Sequence, residues 1–150
     1  MTASLTGSAS RQYATFRVGD HYLGIGVTDV QEVLVQQRIT PVPLAPPAFA
    51  GLINLRGQIV PELDLRRLLR LSLREPDSTT FSVVVRTEHG PVSLLVDEID
   101  DVLELDASSV EPPPKNMHPL VRSLLLEVHR LQHRLLLVLD VRRTVDLDAD

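Results

Sequence analysis

Residues 51–69, GLINLRGQIVPELDLRRLL, leave the chain few ways to fold. Two short apolar runs, Leu52-Ile53 with Leu55 and Ile59-Val60, flank Arg56-Gly57. A glycine between two such runs supplies the positive φ that a tight hairpin turn needs, so the stretch reads as strand, turn, strand. Asp64 then stands where it can cap a short helix, with Leu65, Leu68 and Leu69 on one face and Arg66, Arg67 and Arg70 on the other. Pro61 inside the second strand implies an edge strand or a bulge, because proline cannot donate to a ladder. The turn leaves Arg56, a permanent cation, at an exposed tip. Nothing in the stretch resembles a nucleophile, a phosphate cradle or a metal cage. Its character is that of a surface that touches another protein.

The rest of the chain repeats the strand-and-turn theme. In YATFRVG, Ala14, Phe16 and Val18 alternate with Tyr13, Thr15 and Arg17, the period of a half-buried strand. Gly19-Asp20 turns it into HYLGIGV, where Gly24 and Gly26 suggest a bulge or a close approach of another backbone. Residues 27–35, VTDVQEVLV, carry mixed periods and read as one helical turn running into a strand. TPVPLAPP, residues 40–47, is proline-rich and extended or irregular. FSVVVRT and VSLLVDEI flank Glu88-His89-Gly90 as a further hairpin, and the extended character continues to about Ser108. After the loop EPPPKNMHP, residues 120–128 read either as a helix or as irregular chain followed by a strand. Residues 133–141 read as a buried strand, with a last helical turn at 142–145. Many short strands with brief helices indicate an all-β barrel or sandwich, here as two small barrels sharing a core.

At 150 residues, one domain is the expectation, with enough chain to bury roughly 70% of its unfolded surface. A net charge of −5 and no basic cluster argue against nucleic acid as a partner. The absence of cysteine excludes disulfides, thiolate metal sites and cysteine nucleophiles. The polar start MTASLTGSASRQ lacks the features of a signal peptide, and the longest aliphatic run, Leu135 to Leu139, is too short to span a bilayer. A cytoplasmic protein without direct membrane insertion is expected.

Several polar groups admit a sharp and a plain reading. Arg56 is a partner anchor or a solvated turn residue; arginine is enriched among binding hot spots. Glu32 pairs with a basic partner group or is a solvated strand charge. Val30 is a core position or an exposed apolar contact. The Asn54 amide is expected to bond backbone near the turn. Asp97, Glu98, Asp100 and Asp101 lack the ligand alternation and central glycine of a calcium loop and read as solvated or turn-capping. His129 and His133, four apart, have no third ligand nearby and read as surface histidines. Glu62 and Asp64 lie on one strand with nothing to indicate burial. There is no G-x-S-x-G elbow and no phosphate loop, so no enzyme activity, cofactor or metal is expected.

The motifs occur in a recognisable order: F-x-V-G-x-x-x-x-G-I, V-Q-E-V, P-A-F-x-G, N-L-R-G-x-I-V-P-x-x-D-L-R, L-L-V-D-E-I-x-D-V-L and R-L-L-L-V-L-D-V. This order resembles the CheW family of bacterial chemotaxis coupling proteins over residues 12 to about 145. The resemblance implies two five-stranded SH3-like β-barrel subdomains, roughly 12–79 and 80–146 with strands free to cross over, between short tails at 1–11 and 147–150. It implies an adaptor joining the regulatory domain of a CheA-type histidine kinase to the cytoplasmic tip of methyl-accepting chemoreceptors, and recruited to the membrane through them. By position it implies partner-binding roles for Val30, Glu32, Gly51, Asn54, Arg56 and Gly57. With no room for a kinase or receiver domain, a stand-alone coupling protein is expected. Two alternatives are an adaptor of a non-flagellar chemosensory pathway with pili or second-messenger output, and a small-ligand-binding β-barrel, which would show a deep pocket with converging polar groups.

Overall fold

The turn signals resolve, in a computed structural model that describes residues 9–146, into eleven strands and three short helices. The tails at 1–8 and 147–150 lie outside the described residues. The first hairpin is β1 (Arg11–Val18) and β2 (His21–Gly26). A 3-10 turn, Val27–Asp29, runs into β3 (Val30–Val35), as the mixed period anticipates. The Arg56-Gly57 hairpin is β4 (Phe49–Leu55) and β5 (Gln58–Asp64), followed by α1 (Leu65–Leu68). Then come β6 (Phe81–Thr87), β7 (Gly90–Val96), β8 (Glu98–Leu105) and the two-residue β9 (Val110–Glu111). The chain ends with α2 (Pro119–Ser123), β10 (Leu125–Arg130), β11 (Leu135–Leu139) and α3 (Val141–Val145). Residues 120–128 are therefore a short helix and then a strand.

The strands form a six-stranded sheet, ordered β8-β1-β2-β11-β10-β9, and a five-stranded sheet, ordered β3-β6-β7-β5-β4. The sixth strand, beyond the five expected, is β9, which adds one short rung pairing Val110 and Glu111 with His129 and Val128. The six-stranded sheet draws on both ends of the chain, and the five-stranded sheet is built from the middle, residues 30–96. After the hairpin β1–β2 the chain crosses to the five-stranded sheet as β3; after β6–β7 it crosses back as β8. A boundary near residue 79 therefore does not separate one sheet from the other. Each sheet joins its two hairpins by one parallel contact, β11 to β2 and β5 to β7. Each closing strand also ends in Leu-Asp-x-Arg-Arg, where Asp64 accepts from the Arg66 N–H and Asp140 from the Arg143 N–H to start a helix.

Period-2 alternation sends each strand's apolar residues to two places. Phe16, Val18, Leu23 and Ile25 of one sheet meet Leu63, Val83, Val85, Leu94 and Val96 of the other in one central core. The alternate residues form a second cluster behind each sheet: Tyr13, Tyr22, Leu136 and Val138 behind one, Ile53, Leu55, Val60 and Val84 behind the other. A single shared core holds the two sheets together; each fully buried Leu, Ile or Phe in it contributes about 1.5–3 kcal/mol.

Two expectations are corrected here. Pro61 lies in an internal strand, not at an edge: β5 is flanked by β4 and β7. Its missing N–H is tolerated because the pairing to β7 begins only at Glu62. Of the two readings of Asp97, solvated or turn-capping, the first is corrected: it is a networked charge that also accepts from the β1–β2 turn. At the crossover from β7 to β8 it accepts from Arg66 Nε at 3.1 Å, Arg74 Nε at 2.8 Å and the Gly19 N–H at 2.6 Å. Arg74 Nη1 also binds both oxygens of Asp64 at 2.9 Å. Burial alone would raise the Asp97 pKa, but the Arg66 hydrogen bond, the Gly19 N–H and the Arg74 charge outweigh it and hold the carboxyl below its ordinary value. The network ties the β1–β2 turn of one sheet to α1 of the other.

Candidate functional site

The Arg56-Gly57 turn has φ of +52° and +85°, so both central residues are left-handed. Two positive φ values are the signature of the two-residue turn whose twist matches a hairpin. Gly57 is needed for that backbone alone, since an added Cβ would meet nothing within 4 Å. Arg56 has no such freedom; a non-glycine residue there is strained, and such strain concentrates where function holds it. Asn54 Oδ1 accepts the Gly57 N–H at 2.9 Å and fixes the turn from below. The amide thus bonds the turn backbone, as its position suggests.

The Arg56 guanidinium reaches across to β3, where Nη1 donates to Glu32 Oε1 at 3.1 Å and Nη2 to Oε2. The Arg56 side chain is 69% exposed and that of Glu32 21%. The hydrogen bond from Arg56, reinforced by its charge, holds the Glu32 carboxyl below its usual pKa, so the pair is ionised throughout the physiological range. β3 and β4 are the two edges of the five-stranded sheet, and Arg56 sits at the end of β4. The ion pair therefore bridges the sheet's two edges.

Gly51 serves that closure differently. A Cβ here would stand 2.3 Å from the Thr40 carbonyl oxygen, and φ is +146°. Thr40 pairs with Leu52 through 2.8 Å hydrogen bonds in both directions, laying the chain that follows β3 against the free edge of β4. Gly51 is buried beneath that crossing, not on the surface. Val30 also differs from Glu32. The ladder to β6 shifts register between them, pairing Val30 with Val85 and Glu32 with Val84. Val30 consequently packs against the central core, while Glu32 faces the other way toward Arg56. Arg86 Nη1 donates to the Val30 carbonyl at 2.6 Å and steadies this bulge. The six candidate positions thus divide into an ion pair, exposed Arg56 with half-buried Glu32, and four that shape the backbone around it. Apolar residues also lie open on the same strands, Val35 at 62% and Ile59 at 59% exposure.

Two polar clusters escaped the sequence reading. His129, read as a surface residue, is 1% exposed on β10. Its Nδ1 meets Ser109 Oγ at 2.7 Å and its Nε2 meets Glu127 Oε2 at 2.6 Å, while the Tyr13 hydroxyl donates to that same oxygen at 2.6 Å. The imidazole is enclosed within the sheet, its two ring nitrogens both engaged. The chain of bonds staples β1, β10 and the loop before β9. Burial first, then the Glu127 hydrogen bond, pushes the Tyr13 phenol up to about 12. The second cluster is Glu62 with Ser82 and Ser93, buried within the five-stranded sheet. Its signal was present in the sequence: Glu62 shares a strand face with Val60, two residues before it.

A broad cleft of about 1450 Å³ runs between the sheets, lined by Tyr13, Gly26, Phe49, Leu63, Arg86 and Val141 among others. Its volume exceeds the usual range for small-molecule sites, and its lining is mixed, with Asp29, Asp140 and Arg142 beside the apolar residues. Among the described residues, no three His, Asp or Glu side chains are grouped to hold a metal, and no helix is long and apolar enough to cross a membrane.

Comparison with known proteins agrees with this architecture. Residues 12–149 match the family model described as CheW-like domain. The chain is 28% identical to chemotaxis protein CheW of Bacillus subtilis, covering 99% of this chain and 94% of that one. It is 28% identical to chemotaxis protein CheW of Rhizobium meliloti, covering 89% and 86%. Protein FrzA of Myxococcus xanthus is 30% identical over 69% of this chain and 65% of its own. The solved structure of scaffolding protein TtCheW from Thermoanaerobacter tengcongensis superposes with a TM-score of 0.82, at 23% identity over 93% of this chain and 95% of that one. That likeness establishes the same fold of two packed sheets.

Proposed function

The chain belongs to the CheW-like domain family, and on that premise we propose that it is a non-catalytic adaptor coupling chemoreceptors to a CheA-type histidine kinase. The observation that carries this reading is Arg56: a strained, exposed arginine whose head is oriented by Glu32 before any partner arrives. Preorganisation of this kind reduces the ordering cost of binding. The mechanism is simultaneous binding. One surface engages the kinase's regulatory domain and a second engages the cytoplasmic tip of a methyl-accepting receptor. Joining both contacts through one rigid, shared core raises effective concentration and passes a receptor shift to the kinase. Arg56 and Glu32 touch the partner; Val30, Gly51, Asn54 and Gly57 hold the strand and turn that present them. The protein works in the cytoplasm and reaches the membrane only through the receptor.

The test is a pull-down of purified regulatory domain and receptor-tip fragment with wild-type chain and Arg56→Glu. The folded variant is expected to lose one of the two partners. Unchanged capture of both removes Arg56 from the site. A second reading, an adaptor of a non-flagellar chemosensory pathway, draws support from the similarity to FrzA, a relative under another name. Identification of the kinase that co-purifies, and its output, distinguishes the two.

A further inference from the structure

Glu62 is fully buried, with 0% exposure, in the middle of the five-stranded sheet. The register fixes its neighbours: Glu32 on β3, Val84 on β6, Ser93 on β7, Glu62 on β5 and Gly51 on β4 form one cross-strand row. Ser82 Oγ lies 3.0 Å from Glu62 Oε2 and donates to it. The other oxygen, Oε1, and Ser93 Oγ make no hydrogen bond of good geometry among the described residues, although the Ser93 hydroxyl lies near enough to the carboxyl to favour its ionised form. At the β4 end of the row Gly51 offers no side chain, and the Thr40 carbonyl closes over it.

No basic group forms an ion pair with Glu62 among the described residues. Arg74, the nearest cation to act on it, spends its guanidinium on Asp64 and Asp97. The residues facing it from β4, β6 and β7 are Gly51, Ser82, Val84 and Ser93, none of them titratable. Glu32 on β3 is already engaged by Arg56. Asp64, two residues along its own strand, adds a like charge. An ionised carboxylate is costly in such a place, whereas a neutral acid is not, and a proton on Oε1 turns an orphaned acceptor into a donor.

We propose that Glu62 is a proton-binding site: the five-stranded sheet is built around the neutral carboxylic acid, and release of its proton to solvent loosens the row that ends at Glu32 and its partner Arg56. The electrostatics agree. Burial, helped by Asp64 and opposed by the two serine hydroxyls and Arg74, raises the Glu62 pKa to about 7. Because the folded value lies above the unfolded one, the stabilisation is complete below the ordinary value of 4.5, declines as pH rises, and is gone once pH passes about 7.

The experiment follows the Glu62 side-chain carboxyl by carbon-detected NMR in the full chain labelled at glutamate, with the resonance assigned through bonds in the wild-type protein. In parallel, urea unfolding of wild type and Glu62→Gln is measured across the same pH range. The resonance is expected to titrate near neutrality. The unfolding constant of wild type relative to the variant is expected to rise ~300-fold in all, from well below the ordinary value of 4.5 to well above the folded value of about 7. A resonance that titrates near the ordinary glutamate value, or a ratio of unfolding constants that stays flat, overturns the proposal. The NMR arm stands even where the variant does not fold. The consequence for Arg56 rests on the coupling role proposed for it; the titration does not, so the two can fail separately.

Discussion

Arg56 and Glu32, 24 residues apart in the chain, meet through two guanidinium–carboxylate hydrogen bonds that join one edge of the five-stranded sheet to the other. Exposed ion pairs contribute little to stability. The pair's role is therefore orientation of a cation at a surface. Reversing it, with Glu32→Arg and Arg56→Glu together, is expected to leave the urea midpoint near that of wild type while partner capture stays lost. Recovery of capture in the reversed pair would assign both residues to holding the surface in shape.

Gly51 carries the closure of the same sheet. Its φ of +146° and the 2.3 Å approach of the Thr40 oxygen leave no room for a Cβ. Gly51→Ala is expected to destabilise by on the order of 2–3 kcal/mol, read as a lower urea midpoint. Gly57→Ala, where nothing lies within 4 Å, is expected to cost about 1 kcal/mol, from backbone strain alone.

The Asp97 network gives the chain an acid-labile joint between its sheets. The folded carboxyl titrates below its ordinary value of 3.8, so this stabilisation is present above that pH and lost as pH falls through the lower folded value. Asp97→Asn is expected to lose about 2 kcal/mol at neutral pH and to show a shallower loss of stability on acidification than wild type. Circular dichroism across an acid titration measures both.

The shared core predicts that the sheets unfold together. Leu94, on β7 and 0% exposed, packs with residues of both. Leu94→Ala is expected to cost about 3 kcal/mol, with a single transition preserved in near- and far-ultraviolet signals. Two separated transitions would mean that the sheets have independent cores.

Much of this was legible because hairpins announce themselves locally. Gly19-Asp20, Arg56-Gly57 and Glu88-His89-Gly90 each sit between strand-like runs, and a turn forms at each, the last at Glu88-His89. Asp64 caps its helix for the same local reason. What could not be read was non-local. The crossing of β3 and β8 between sheets depends on pairings across most of the chain, so the sequence's two halves misstate the sheets' membership. Val30 and Glu32, two apart, should share a strand face, but one bulge turns them apart. His129 reads as exposed because imidazole groups usually are; its burial rests on partners from other strands. Pro61 is internal because the neighbouring strand starts one residue later. At the candidate site, the sequence identified the turn and its arginine, while the partnership with Glu32 and the buried role of Gly51 required the folded sheet.

The most direct measurement is kinase autophosphorylation in a reconstituted mixture of receptor-containing membranes, the co-purifying histidine kinase and this chain. With the wild-type chain, phosphorylation is expected to change when receptor ligand is added, and Arg56→Glu is expected to abolish that response while leaving basal kinase activity intact. A kinase that responds to receptor ligand equally well without the chain would contradict the coupling role.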